Sequence, residues 1–201
     1  ASCLVGSEMC IRDRYYGIDY PGSKLDLIAV PDFAMGAMEN VGAVTFRETL
    51  LLIDVEKATR SELSRSISVI AHELAHMWFG DLVTMDWWDG IWLNEAFASL
   101  MEVIASEATY PEFKLWNEMN QDRSRGFGVD SLKSSRPVEF EVKSPEEAEE
   151  MFDVLTYQKG STVLRMFETF IGEENFKKGV RSYLNKYEYK NTHSSDLWNE
   201  L

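Results

Sequence analysis

The run His72-Glu73-Leu74-Ala75-His76, followed after 18 residues (77–94) by Glu95, constrains this 201-residue chain more than any other feature. Two histidines four apart stand one above the other on a helix face, so both imidazoles reach a single point. That is a metal-ligand spacing, and a catalytic zinc takes three protein ligands while keeping a fourth position for water. The imidazoles leave one vacancy, which a carboxylate from a second helix fills. Glu95 is placed to do so, and Glu73 is left free as a base beside the metal's water. The plainer alternative is a helix with two core or solvated histidines. Against it stand the scarcity of histidine, with two of only three in the chain at this spot, and the Asn94-Glu95 pair that opens another helical pattern. The run therefore predicts a hydrolase with one zinc ion.

Local patterns support helices around it. Thr59-Arg60-Ser61-Glu62 has the form of a capping box. Leu63, Ile67, Ile70, Leu74 and Trp78 then form an apolar stripe, and Gly80 supplies a stop, for a helix of about 18–20 residues. Residues 91–107 read as a second helix on which Glu95, Ser99 and Glu102 share a face. This offers Ser99 or Glu102 as support for the zinc shell, beside the plainer reading of polar surface residues. Upstream, residues 24–30, 41–46 and 49–54 read as strands of one small sheet, with 32–40 as a loop or edge segment. Downstream come a helix over 112–125, a loop over 126–142 and a second capping box at Ser144-Pro145-Glu146-Glu147. A helix through Tyr157 to Ile171, another over 173–187 and the start of a last one at Ser194 complete the pattern.

Composition excludes several classes. A net charge of −14 argues against nucleic acid or an anionic membrane surface as partner. No apolar run approaches the ~20 residues that cross a bilayer. Hydrophobic residues at 45% and aromatics at 12% supply a sizeable core and exclude wholesale disorder. Both cysteines, Cys3 and Cys10, lie in residues 1–14 (ASCLVGSEMCIRDR), a segment without the charged start, apolar core and cleavage site of a signal peptide. It resembles translated adapter sequence and is set outside the fold as a non-native leader. The remainder lacks cysteine, which suits a cytoplasmic location.

Four motifs in order then carry a resemblance. Gly36-Ala37-Met38-Glu39-Asn40 precedes HELAHMWFGDLVTM (72–85), WLNEAFAS (92–99) and LTYQKGSTVLRM (155–166). Together they resemble the zinc aminopeptidases of the aminopeptidase N group, a gluzincin family, nearest its puromycin-sensitive branch, over essentially all of 15–201. The resemblance implies an α+β, thermolysin-like catalytic domain: a small mixed sheet packed on a mainly helical lobe, with zinc between them. It assigns His72, His76 and Glu95 to the metal and makes Glu73 general base and proton shuttle. Glu39 binds the substrate's α-ammonium, which is mostly charged at neutral pH with a pKa near ~8. Gly36, Ala37 and Met38 line the peptide, and Tyr157 donates a hydrogen bond to the oxyanion; nothing in the bare pattern singles Tyr157 out of 8 tyrosines. Two positions depart from the family pattern: Arg136 stands where His is usual, and Ala96 where Gly is commoner. Family members carry a β domain before this region and a helical domain after it, so residues 15–201 are expected to be a partial catalytic domain. Its expected partners are those domains and peptides with a free N-terminus. The alternatives are an endopeptidase or a leukotriene-hydrolysing relative, against which the Gly36–Asn40 motif argues, and a non-catalytic binding module, against which the intact ligand set argues.

Overall fold

The computed structural model describes residues 2–201, the side chains of residues 2–5, 7 and 8 excepted. Helix α1 (Ser2–Tyr16) leads to strands β1 (Asp26–Val30), β2 (Ala37–Met38) and β3 (Ala43–Arg47). β3 is central. It pairs parallel with β1, Asp26 opposite Ala43, and antiparallel with β2, Ala37 opposite Phe46. The expected small mixed sheet therefore forms, and the 36–40 segment runs along its edge. Residues 49–54 differ from expectation. In place of a strand they begin in a short helix α2 (Glu48–Leu51), where the Leu52 N–H bonds to the Glu48 carbonyl at 2.8 Å. Leucine is a good helix former, and burial of Leu50 with a hydrogen bond from Ser66 Oγ to its carbonyl (2.6 Å) draws the run out of the sheet.

Helix α3 (Arg60–His76) starts at the predicted cap. Thr59 Oγ1 accepts from the Glu62 N–H, and the Glu62 carboxylate accepts from the Thr59 N–H at 2.7 Å. It ends at His76, before Gly80. The N–H groups of Asp81, Leu82 and Val83 bond instead to the carbonyls of His76, Met77 and Trp78 at 3.0, 3.2 and 3.2 Å, and Gly80 turns the chain at φ +128°. Strand β4 (Val83–Met85) and a single 3-10 turn (Trp88–Gly90) lead to α4 (Ile91–Thr109).

Helices α3 and α4 are the central packed pair. Between and around them lie Leu74, Trp78, Phe79, Phe97 and Leu100, with Phe79 stacked on Phe97 at 3.8 Å between centroids. Each such side chain stabilises by about 1.5–3 kcal/mol when fully buried. α1 packs on α3, α4 and α8 (Glu173–Lys186). There Arg12 is fully buried with its guanidinium donating to the Ala71 carbonyl, and Tyr16 lies 5.2 Å from the Trp78 ring. The Cys3 side chain is outside the described residues, and Cys10 is an exposed thiol.

Helix α5 (Leu115–Asp130) runs past the expected stop at 125. Gly126 is buried in it against Gln158, so tertiary packing holds a helical glycine that propensity disfavours. Ser144 caps α6 (Pro145–Glu150). One π-helical turn (Leu155–Lys159) then runs into α7 (Gly160–Ile171), and α8, β5 (Lys190–Thr192) and α9 (Ser194–Trp198) follow. β5 pairs parallel with β4, a contact between two three-residue strands that no local pattern announces. Among the described residues no helix is long and apolar enough to cross a membrane.

Candidate active site

Helical periodicity sets His72 and His76 on one face of α3, and the packing of α4 across that face brings Glu95 to both. Glu95 Oε2 lies 3.1 Å from His72 Nε2 and 3.4 Å from His76 Nε2. The candidate ligand atoms of the three residues all fall within 4.8 Å of one another. The other ring nitrogens are occupied elsewhere. His76 Nδ1 lies 2.9 Å from the Phe79 carbonyl, and His72 Nδ1 lies 2.8 Å from Glu102 Oε2. A carbonyl and an ionised carboxylate only accept, so each Nδ1 carries a proton; each Nε2 faces Glu95 Oε2, donates to it while the metal is absent, and offers its lone pair to the shared point once that proton is lost. The donor set fits zinc: roughly 3.3 Å separates neighbouring ligands of a tetrahedral ion with bonds of about 2.0–2.1 Å.

The charges around this point are strongly coupled. Burial raises the Glu95 carboxyl, but the His76 charge and hydrogen bonds from both imidazoles outweigh it and hold the group well below the usual range. Burial opposes protonation of His76, yet the Glu95 charge and hydrogen bond, with Glu39 behind them, lift it to about 9. His72 is likewise raised, against its burial, by hydrogen bonds to Glu102 and Glu95. Glu73 is buried beside them, and its Oε2 has no hydrogen-bond partner among the described residues. Burial first, then the charges of Glu39 and Glu95, push it up to about 7 against the pull of the two histidines. A buried carboxyl that is unpartnered and poised near neutrality can take up and release a proton.

A cavity of about 670 Å³ opens over these groups. Gly36, Ala37, Met38 and Glu39 line one side from the sheet edge, and Tyr157 lines another from the π turn. Glu39 Oε1 comes within 3.9 Å of His76 Nδ1. The Tyr157 ring stacks on His72 at 5.9 Å and 28°. Burial, then the negative charge of Glu95, raises its hydroxyl far above the ordinary tyrosine value, so it remains an O–H donor. The residues expected to bind metal or substrate or to take part in catalysis thus line one space.

Other participants were less visible. Glu102 engages His72, whereas Ser99 lines the cavity without a hydrogen bond to either imidazole. Asp81 lies behind His76, its N–H on the His76 carbonyl, and burial followed by the Glu39 charge raises its carboxyl to about 7. Arg136 anchors the π turn. Its Nη2 donates to Asp153 Oδ1 at 2.6 Å and to Thr156 Oγ1 at 3.0 Å, while Asp153 Oδ1 accepts from the Leu155 and Thr156 N–H groups at 2.9 and 3.1 Å. Ala96 fits because position 160 is glycine: a Cβ at Gly160 would lie 2.7 Å from the Ala96 Cβ. The capping-like pattern of Asp153 before Leu155 and Thr156 was the one local signal for this network; the Phe79 carbonyl, being backbone, offered none.

The family model described as the Peptidase family M1 domain matches residues 5–201. The chain is 50% identical over 190 residues to "Probable aminopeptidase 2" of Sulfurisphaera tokodaii, which covers 94% of this chain and 24% of that protein. It is 50% identical over 189 residues to human "Endoplasmic reticulum aminopeptidase 2", covering 94% of this chain and 20% of that protein. With the "Alanine/arginine aminopeptidase" of Saccharomyces cerevisiae it shares 47% over 202 residues, covering 100% of this chain and 24% of that protein. The chain thus spans 20–24% of the length of these curated relatives. Matched from residue 5 to its last residue by the family model, the chain belongs to the M1 peptidase family.

Proposed function

We propose that this chain is the catalytic part of a zinc-dependent aminopeptidase of thermolysin-like design, releasing N-terminal residues from peptides. The observation that carries the reading is the position of Glu39. A carboxylate on the sheet edge stands 3.9 Å from His76, beside a His72–His76–Glu95 cluster suited to one zinc ion. The names of the relatives, all aminopeptidases, support it. Zinc held there supplies a Lewis acid toward water and the substrate carbonyl.

The chain's own groups do the rest. Glu39 binds the α-ammonium, and only a free N-terminus satisfies its carboxylate, so cleavage falls after the first residue. The edge at Gly36, Ala37 and Met38 lines the peptide. Glu73 takes a proton from water as its oxygen adds to the first peptide carbonyl, and Tyr157 donates its O–H to the oxygen on which charge develops. Glu73 then gives the proton to the departing nitrogen as the C–N bond breaks.

Two measurements test this. Metal analysis should give one zinc per chain, lost in Glu95→Ala. Hydrolysis of an aminoacyl amide should fall about 10–150-fold in kcat/KM in Glu39→Ala, the value of a charge-assisted hydrogen bond. A folded chain without zinc, or equal cleavage of N-acetylated and free peptides, would overturn the reading.

A further inference from the structure

The cavity continues along α3 beyond the histidines. At 3.6 residues per turn, Arg65, His72 and His76 fall within about 40° of one another, on the face that lines the cavity. At ~1.5 Å of rise per residue, Arg65 stands about 10 Å from His72, on the side away from His76 and Glu39. Arg123 lines the same cavity from α5. It sits between Glu118, which accepts from Ser64 Oγ at 2.8 Å, and Gly126, which packs on Gln158. Ser64 is the neighbour of Arg65, so the two arginines flank one end of the space.

Both arginines are exposed, and neither has an ion-pair partner among the described residues. The carboxylates near them are engaged: Glu118 by Ser64, Asp122 by Arg125 at 2.7 Å, and Glu102 by His72. At the other end, beside the histidines, stands the Glu39 carboxylate. In a chain of net charge −14, a cavity with the Glu39 carboxylate at one end and two unpaired arginines at the other suits a ligand with a cation at one end and an anion at the other.

We infer that Arg65 and Arg123 form a carboxylate-binding subsite for the residue about three places beyond the scissile bond. The inference rests on the aminopeptidase reading, which fixes the α-ammonium at Glu39 and so sends the rest of the peptide along α3 toward Arg65. An extended peptide advances ~3.3 Å per residue, so about 10 Å corresponds to three residues. The guanidinium fork matches a carboxylate in shape and charge. That carboxylate is either the C-terminus of a tetrapeptide or an Asp or Glu side chain at the same place in a longer peptide.

The test is calorimetric binding to the zinc-loaded 201-residue chain. The ligands are Leu-Ala-Ala-Ala peptides whose first peptide bond is reduced to an uncleavable methylene-amine: the free acid, its C-terminal amide, an amide with Glu in fourth place, and an N-acetylated acid. The acid and the Glu amide should bind about five- to tenfold more tightly than the plain amide, as expected for two exposed ion pairs. The difference should shrink at about 0.5 M salt. It should disappear in Arg65→Ala/Arg123→Ala and partly return in the double lysine variant. Tighter binding of only one carboxylate form identifies which source the subsite reads. Equal binding of acid and both amides to the unmodified chain, or a difference that survives the double alanine variant, overturns the subsite. Loss of discrimination against the N-acetylated ligand overturns the aminopeptidase reading instead, and no binding of any ligand overturns both.

Discussion

Glu102 holds the ring of His72, a proposed zinc ligand, through one 2.8 Å contact. Removing such an outer partner lowers metal affinity by about 10–100-fold, so Glu102→Ala should do this in a chelator competition, with Glu102→Gln, which still accepts, closer to the original. The buried titrating groups also give stability a definite pH dependence. Glu73 and Asp81 rise from 4.5 and 3.8 to about 7, so the stability tied to their protonated forms is complete below those ordinary values and is lost as pH climbs through 7. His76, raised from 6.5 to about 9, contributes fully below 6.5 and loses its share as pH passes 9. Glu95 acts oppositely: its depressed value adds stability above 4.5 that disappears as pH falls. The metal-free chain should therefore melt highest near about pH 5 and progressively lower toward pH 9, as followed by circular dichroism in chelator. With zinc present the trend reverses over the upper half of that range, because each proton lost from a histidine frees a ligand. A flat profile in chelator would contradict these assignments.

At the scale of elements, the π turn that carries Tyr157 is held from outside itself. Arg136 and Asp153 bind its first residues, and Gly160 lets its C-terminal end approach Ala96 on α4. Tyr157→Phe should lower kcat by about 10²–10³-fold with zinc affinity unchanged, the loss of one oxyanion donor. Arg136→Ala should lower kcat in the same sense but less, again leaving zinc bound. That pairing separates a placed tyrosine from a disturbed metal site. Gly160→Ala should cost about 1–3 kcal/mol in urea unfolding, since its methyl would overlap that of Ala96. Little of this was legible in the sequence. The periodicity through Leu155–Met166 reads as plain helix, and only packing against α4 and α5 decides that its first turn is widened. The capping box at Thr59, by contrast, is a local device, and the helix begins where its residues require.

For the whole molecule, the three residues proposed to hold zinc join the two helices on which the core is built. α3 supplies His72 and His76, α4 supplies Glu95, and the same pair buries Leu74, Phe79 and Phe97. An ion bound only by the folded chain stabilises it by about 4 kcal/mol at a thousandfold excess over its dissociation constant. For a chain of this size that raises Tm by roughly 8–16 °C, at about 2–4 °C per kcal/mol. Calorimetry with and without chelator should show a rise of this order, absent in Glu95→Ala. No rise in the unmodified chain would remove zinc from the structure's account.

The sequence by itself determined the helix that presents His72 and His76 on one face and the helical order of the chain's second half, and it pointed to the candidate residues that packing brings around one cavity. Those features depend on contacts a few residues apart: an i, i+4 pair, caps, and apolar periodicity. Tertiary structure alone decided the rest. It made residues 49–54 part helix, carried α5 through Gly126, paired β4 with β5, selected Glu102 over Ser99 beside His72, and gave Arg136 a role. Each of these depends on groups distant in sequence that meet only once α4 lies across α3. Spacing along the chain can name the atoms able to hold a metal, but packing fixes which neighbours orient them and what lines the space above.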